Sequence, residues 1–117
     1  MCGIAGFYSF ESRSSGEIHS ISTKMGDAIS HRGPDNFGFW ADDTVPLALI
    51  HRRLAILDLS DAGNQPMHSP SQRYVISYNG EIYNHLRIRR ALDKEFSNIH
   101  WLSESDTETI IIAIELW

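Results

Sequence analysis

The chain has 117 residues, which is enough for one small domain but not for two. Its composition, with 42% hydrophobic and 21% charged residues, is that of a globular protein and not of a disordered one. The formal net charge of −5 argues against nucleic acid or an anionic membrane surface as the main partner, because both require a basic face.

Individual residues and short segments narrow the class of protein further. The densest basic cluster, Arg87, Arg89 and Arg90, is interpreted as a solvated helix face. No apolar run is long enough to span a bilayer, and no secretory signal is recognisable, so we expect no membrane partner. Cys2 is the single cysteine, which fits a protein of the reducing cytoplasm. The six histidines show no metal-site spacing, and we expect no metal.

The first half of the chain predicts one helix among strands. Residues 3–10 form an apolar strand, and 12–16 a polar loop. Apolar residues at helical spacing over 18–29 predict a helix that ends before the following Gly-Pro pair. Segments 37–41 and 45–53, separated by a short turn, predict a hairpin.

The second half predicts a loop, a strand and two helices. Residues 58–71 read as a long loop, and 73–78 as a strand that ends at Asn79-Gly80. A helix is expected over 84–95. Its buried stripe is predicted to comprise Ile88, Ala91, Leu92 and Phe96.

A last helix is predicted to begin with Ser105 as N-cap and Glu108 completing a capping box. Its apolar face is predicted to comprise Ile110, Ala113, Ile114 and Trp117. The sequence shows no C-terminal helix signal, so we expect a cut protein that lacks what this helix packs against. The element order favours an α+β fold, in which helices pack on a mostly antiparallel sheet.

Cys2 is a weak signal by itself, because a lone cysteine is more often a small buried hydrophobe than a nucleophile. Its position changes this interpretation. Removal of Met1 would leave the thiol and a free α-amine on one residue. An α-amine has an unperturbed pKa of about 8 and can accept the thiol proton near neutral pH. If Met1 stays attached, that nitrogen is an amide and cannot act as a base.

Six short motifs follow one another along nearly the whole chain. They are Cys2-Gly3-Ile4, residues 31–35 (HRGPD), 53–58 (RLAILD), Gln65-Pro66-Met67, 79–84 (NGEIYN) and 105–108 (SDTE). In this order they resemble the glutaminase domain of class II glutamine amidotransferases, which are N-terminal-nucleophile hydrolases. The closest likeness is to glutamine-hydrolysing asparagine synthetases.

The resemblance implies a partial αββα sandwich, with residues 1–117 as the N-terminal part of the glutaminase domain. It implies glutamine as substrate and ammonia as the product used in an ATP-dependent amidation. No Gly-rich phosphate loop occurs, so no cofactor is expected in this fragment, and ATP and Mg are expected in a missing synthetase domain. The acceptor stays open, with aspartate or a sugar acid as examples.

The resemblance also implies roles in catalysis. Cys2 is the nucleophile, and the Asn79 side-chain amide and the Gly80 N–H form the oxyanion hole. An alternative is that Asn79-Gly80 is a hairpin turn, since this dipeptide is a strong turn signal, and both interpretations can hold together. The loop 31–35 is expected to help close the site, with Arg32 as its best candidate, or to be only a helix stop. Gln65-Pro66-Met67 is interpreted as structural.

For substrate binding, the resemblance assigns Arg53 to the glutamine carboxylate, with Arg52 exposed on the other face of the strand. It assigns Glu81 and Asp106 to the α-ammonium group. Otherwise, Glu81 would be an ordinary surface acid and Asp106 an acid favoured by a helix dipole. The backbone groups expected to line the pocket belong to Leu54, Ile56 and Leu57.

A hypothesis from another class is a truncated, non-catalytic module that persists as an oligomer for binding or structure. The short chain and the unfinished last helix favour it. Half a sandwich exposes apolar surface, so we expect a homo-oligomer or a marginally folded chain.

Overall fold

The computed structural model describes residues 2–42, 44–55 and 61–117 and has an α+β architecture. Among these residues, three α-helices pack on two small antiparallel sheets. Two 3₁₀ turns, Ser30–Arg32 and Asp61–Gly63, complete it. In chain order the elements are β1 (Gly3–Tyr8), α1 (Ser15–Ala28), β2 (Asn36–Ala41), β3 (Leu47–Arg53), β4 (Met67–His68), β5 (Val75–Ile76), α2 (His85–Glu95) and α3 (Asp106–Leu116).

The larger sheet has the strand order β1-β3-β2, with β3 antiparallel to both neighbours. The predicted hairpin of β2 and β3 is therefore confirmed, as is the first strand. In the register, Gly3 lies opposite Arg52 and Asn36 lies opposite Arg53. This pairing brings the start of the chain beside the end of β3, although the two are some fifty residues apart in sequence.

Helix α1 covers one face of this sheet. Ile18 packs with Ala48 and Ile50 of β3 in the first buried cluster. The helix begins at Ser15, within the segment predicted as a loop, because Ser14 and Glu17 form a complete capping box. It ends at Ala28, as the following Gly-Pro pair predicted.

The second layer is built from α2, α3 and the β4-β5 ribbon around Leu92, Ile111 and Ile112. The strand predicted over 73–78 is shorter, and its partner β4 lies in the segment predicted as a loop. A strand of two residues has no periodicity that could have revealed it. The predicted helix over 84–95 is confirmed, but Ala91 of its predicted stripe is exposed.

The predicted apolar face of α3 is wrong for two of its four residues, whereas Ala113 packs against the second buried cluster and Ile110 is half-buried. Ile114 is 54% exposed and Trp117 is 62% exposed. The buried residues of this helix are instead Thr107, Glu108, Thr109, Ile111 and Ile112. The Ser105 side chain does accept a hydrogen bond from the Glu108 N–H, as expected of an N-cap.

Helix α3 directs this face towards the interior because Glu108 has partners inside the protein. Its carboxylate accepts hydrogen bonds from the Leu102 and Ser103 N–H groups and lies 3.4 Å from the Arg89 guanidinium. Arg89 also donates to the carbonyls of residues 103 and 105 and stacks on Trp101. The interpretation of Arg89 as part of a solvated face is therefore wrong. Within the described residues, no helix is long and apolar enough to cross a membrane.

Candidate active site

Cys2 lies just before β1 and is half-buried. Its Sγ accepts a hydrogen bond from the Leu54 N–H at 3.4 Å and lies 3.8 Å from the Leu54 carbonyl oxygen. The antiparallel register of β1 and β3 causes this contact, since it sets Cys2 against the residues that follow β3. The N–H group points the positive end of its dipole at sulfur, where negative charge develops when the thiol loses its proton.

The loop 31–35 is hydrogen-bonded to Cys2 and to the residues on either side of Leu54. The Arg32 Nε donates to the Cys2 carbonyl at 3.3 Å. An Asp35 carboxylate oxygen accepts from the Ala55 N–H at 2.8 Å, and the Asp35 N–H donates to the Arg53 carbonyl at 3.0 Å. Gly33 lies so close to the Arg52 backbone that a β-carbon there would overlap it. The loop therefore fixes Cys2 and the end of β3 relative to each other, and it does more than end the helix.

Arg53 ends β3 with only 9% of its surface exposed, as predicted for an inward-facing residue. Its Nη1 donates to Oδ1 of Asn64 at 2.7 Å. Arg52 lies on the opposite face, but its predicted exposure is wrong. Its guanidinium donates to the Gly26 carbonyl, pairs with Asp27 at 2.7 Å and covers the Phe37 ring.

Gln65 joins two segments of the second layer through its side-chain amide. Its side-chain oxygen accepts from the Tyr78 N–H at 2.6 Å, and its side-chain nitrogen donates to Oγ1 of Thr107 at 3.2 Å. The first bond fixes the residue before Asn79, and the second fixes the residue after Asp106. The structural interpretation of Gln65 is consistent with these bonds, which also place it inside the candidate site.

Asn79 and Gly80 lie between β5 and α2, with Asn79 half-buried and Gly80 exposed. The hairpin-turn alternative is wrong, because the next element is a helix and no described glycine has a positive φ. Gly80 is instead covered by the Tyr78 side chain: a β-carbon at Gly80 would lie 2.6 Å from Cζ of that ring. In the described part of the chain, no hydrogen bond joins Cys2 directly to Asn79 or Gly80.

Asp106 is the first residue of α3, and its Oδ2 accepts from the Ile82 N–H at 2.7 Å. This bond brings the segment that contains Glu81, which is exposed, beside the helix N-terminus. Burial raises the pKa of the Tyr78 phenol, and the charges of Asp106 and Glu81 raise it further. The phenol is therefore neutral at physiological pH and lies within the field of both carboxylates.

His51 is an unpredicted member of this region. It is 1% exposed and lies on the same face of β3 as Arg53, two residues away. Burial lowers the pKa of its imidazole; the Tyr78 carbonyl opposes this effect and the positive charge of Arg53 adds to it. His51 is therefore neutral at pH 7. A hydrophobic strand around it was the signal that a buried histidine would lie here.

The contacts connect most predicted site residues into one cluster. It runs from Cys2 and Leu54 to Arg53, on through Asn64 and Gln65, and then to the segments that hold the remaining residues. Asn64 and Gln65 were not predicted as site residues, because a long loop gives no sign of where it packs. The predicted residues Ile56 and Leu57 lie outside the described residues. Two surface clefts, of about 570 and 480 Å³, contain none of the predicted site residues.

Comparison with known proteins gives the family. The model of the glutamine amidotransferase domain matches residues 1–117. The chain is 35% identical to amidase chry2 of Gibberella zeae, over 95% of its own length. It is 38% identical to asparagine synthetase [glutamine-hydrolyzing] 2 of Bacillus subtilis, over 98% of its length, and 33% identical to asparagine synthetase B [glutamine-hydrolyzing] of Escherichia coli, over 95%.

The chain spans only 17%, 15% and 19% of the length of these three relatives. The match of the domain model nevertheless extends from the first residue to the last. The resemblance carried by the six sequence motifs is thus confirmed, and the chain belongs to the glutamine amidotransferase domain family.

Proposed function

We propose that the chain hydrolyses the side-chain amide of glutamine to glutamate and ammonia, with Cys2 as the nucleophile after removal of Met1. The freed α-amine of Cys2 takes the thiol proton, and sulfur attacks the amide carbon. A tetrahedral intermediate forms, with negative charge on the former carbonyl oxygen. The nitrogen leaves as ammonia after taking up that proton, and a thioester remains. Water then attacks the thioester, which releases glutamate and restores the thiol.

The Asn79 side-chain amide and the Gly80 N–H are proposed to stabilise the oxyanion of both tetrahedral intermediates. Arg53 is proposed to bind the substrate carboxylate, for which a buried guanidinium is well suited. Glu81 and Asp106 are proposed to bind the α-ammonium group, and the backbone of Leu54, Ile56 and Leu57 to line the pocket. Arg32 and Asp35 position the nucleophile through their bonds to residues 2 and 55.

The observation that carries this proposal is the bonding of Cys2 to the end of β3. The thiol lies between the Leu54 N–H and carbonyl, directly beside the buried Arg53. An amide substrate reaches both groups only if the cysteine and the cation lie at one end of the sheet. A cysteine that served packing alone would not require a buried arginine beside it on the neighbouring strand.

The test is covalent labelling of the Met1-free chain by a glutamine-mimicking electrophile, followed by intact mass. We expect one adduct at Cys2, and free glutamine should suppress it. Because Cys2 is the single cysteine, Cys2→Ser identifies the site without peptide mapping. A matched sample that retains Met1 should label much more slowly, since its residue-2 nitrogen is an amide. A folded, Met1-free sample that does not label would overturn the proposal.

For the whole protein, we propose that the ammonia supplies asparagine synthesis or a related ATP-dependent amidation in the cytoplasm. The relatives named as glutamine-hydrolysing asparagine synthetases support this proposal. ATP and Mg would bind a separate synthetase domain. Residues 1–117 would form the N-terminal part of an αββα sandwich of the N-terminal-nucleophile hydrolase type.

A second candidate function is a non-catalytic module that acts as a homo-oligomer. The observation that favours it is exposed apolar surface: Phe10 is 95% exposed and Leu102 is 72% exposed. Size-exclusion chromatography with light scattering, combined with the labelling test, separates the two functions. An oligomer without labelling supports the module, whereas labelling supports the enzyme in any oligomeric state.

A further inference from the structure

Asn64 is a polar residue of the site to which neither the motifs nor the proposed chemistry gives a role. It directly follows the 3₁₀ turn Asp61–Gly63 and is half-buried. Its side-chain oxygen Oδ1 accepts a hydrogen bond of 2.7 Å from Nη1 of Arg53. This bond joins the turn to the buried guanidinium that is proposed to bind the substrate carboxylate.

We propose that Asn64 is a positioning residue that orients the Arg53 guanidinium for the α-carboxylate of glutamine. This inference rests on the proposed function and extends it to a residue outside the six motifs. A guanidinium binds a carboxylate with two parallel hydrogen bonds only when its plane faces the carboxylate edge-on. A bond to one Nη atom fixes the rotation of that plane, and the five N–H donors of a guanidinium allow it to bind more than one acceptor.

The Asn64 side chain is itself held in one orientation. Its Nδ2 donates to Oδ1 of Asp61 at 3.3 Å, and its backbone N–H donates to the Asp61 carbonyl at 3.0 Å. A carboxylate only accepts hydrogen bonds and a guanidinium only donates them. The amide therefore turns its nitrogen towards Asp61 and its oxygen towards Arg53, and the turn fixes which atom of Asn64 the guanidinium meets.

The neutral charge of this acceptor suits the same role. A carboxylate in the place of the Asn64 amide would form a salt bridge with Arg53 at this distance and would repel the carboxylate of the substrate. The amide oxygen accepts the same hydrogen bond without adding a negative charge. Asp61 lies one hydrogen bond further from the guanidinium and is exposed, so that solvent screens its charge. Asn64 thus holds the guanidinium without weakening its attraction for an anion.

The experiment compares two diazoketone analogues of glutamine that differ only at the α-carboxyl group, which is a carboxylate in one and a primary carboxamide in the other. In each, the Cys2 sulfur bonds to the diazo carbon, that carbon takes up the thiol proton, and N₂ leaves. The second-order rate constants of labelling are measured by intact mass on the Met1-free chain and its variants Asn64→Leu, Asn64→Asp and Asn98→Asp. Asn98 is exposed between α2 and α3, so its variant is a matched control for the added charge.

The result is the ratio of the rate constant for the carboxylate analogue to that for the carboxamide analogue, which does not depend on the fraction of folded chain in a sample. We expect this ratio to fall about tenfold in Asn64→Leu, because the group that orients the cation is lost. It should fall at least as much in Asn64→Asp, because a carboxylate then competes for Arg53. Asn98→Asp should keep the wild-type ratio.

Three outcomes would overturn the inference, and they differ in what else they overturn. A wild-type ratio in both Asn64 variants would remove the role of Asn64 alone and leave Cys2 as nucleophile. A wild-type chain that reacts equally fast with both analogues would remove the role of Arg53 in carboxylate binding, and that of Asn64 with it. Failure of the wild-type chain to react with either analogue would overturn the proposed function as well.

Discussion

Replacing Gln65 by methionine removes both bonds that tie the segment before Asn79 to the start of α3, while a side chain of similar length stays in place. The Tyr78 N–H and the Thr107 hydroxyl each lose a partner at 2.6 and 3.2 Å. Two hydrogen bonds of about 0.5–1.5 kcal/mol each predict a loss of about 2 kcal/mol in the free energy of unfolding. For a domain of this size, that loss lowers Tm by about 6–10 °C.

The effect on chemistry follows from geometry. If the Gln65 bond positions residues 78–80, its loss displaces the proposed oxyanion donors, and a shift of about 1 Å can cost up to a hundredfold in rate. We expect Cys2 labelling in Gln65→Met to slow at least about tenfold at a temperature well below its Tm. Thr107→Val, which removes only the second bond, should cost about 1 kcal/mol and slow labelling much less.

A double-mutant cycle tests the reasoning. Once Gln65 is gone, Thr107 has already lost its partner, so Thr107→Val should add almost nothing in the Gln65→Met background. Two results would refute the reasoning: a Tm of Gln65→Met within measurement error of the wild-type value, or the same cost of Thr107→Val in both backgrounds. Either result means that the Gln65 amide does not connect the segment before Asn79 to the start of α3.

Two further predictions concern buried polar groups. Arg89→Met should lower the free energy of unfolding by about 3–5 kcal/mol in chemical denaturation, because it leaves the buried Glu108 carboxylate without its cation. Arg90→Met, at an exposed position on the same helix, should change this free energy by less than about 0.5 kcal/mol. Similar effects of both substitutions would contradict the assigned ion pair. The lowered pKa of His51 means that the unfolded chain binds more protons than the folded one at pH values around and below about 6.5. The Tm should therefore fall as pH decreases from about 7 to 5.5, and it should fall less steeply in His51→Asn. Parallel profiles of Tm against pH for the two proteins would show that His51 is not the group responsible.

The sequence predicted those parts of the fold that depend on local patterns. Alternation and a short turn identified β2 and β3, and apolar spacing with a Gly-Pro stop identified α1. The motifs predicted Cys2, Arg53 and Asp106 as site residues, and this stays a prediction, although Cys2 does lie against the end of β3 where Arg53 stands. Local patterns sufficed here because each element carries its own signal within a few residues.

What the sequence did not predict depends on contacts between distant segments. Periodicity alone assigned Ile114 to the buried face of α3, but the helix is turned so that Glu108 meets Arg89 and the backbone of residues 102 and 103. A charged residue is expected at the surface unless the fold supplies its partners. Asn64 and Gln65 were missed for the same reason, since their role arises only from what the loop packs against.

The proposed site lies where two separately packed layers meet. Cys2 and Arg53 belong to the sheet that packs on α1, whereas Asn79, Glu81 and Asp106 belong to the layer built around Leu92. The bonds from Arg53 to Asn64 and from the Ser77 hydroxyl to the Ile50 carbonyl are polar links between these layers, so small relative movements of the layers change the distance between nucleophile and oxyanion donors. A glutamine molecule whose α-carboxylate is bound by Arg53 and whose α-ammonium group is bound by Asp106 would hold the layers at one separation. In this arrangement, recognition of the two α-groups at one end of the substrate positions the amide at its other end for attack, and binding contributes directly to the rate.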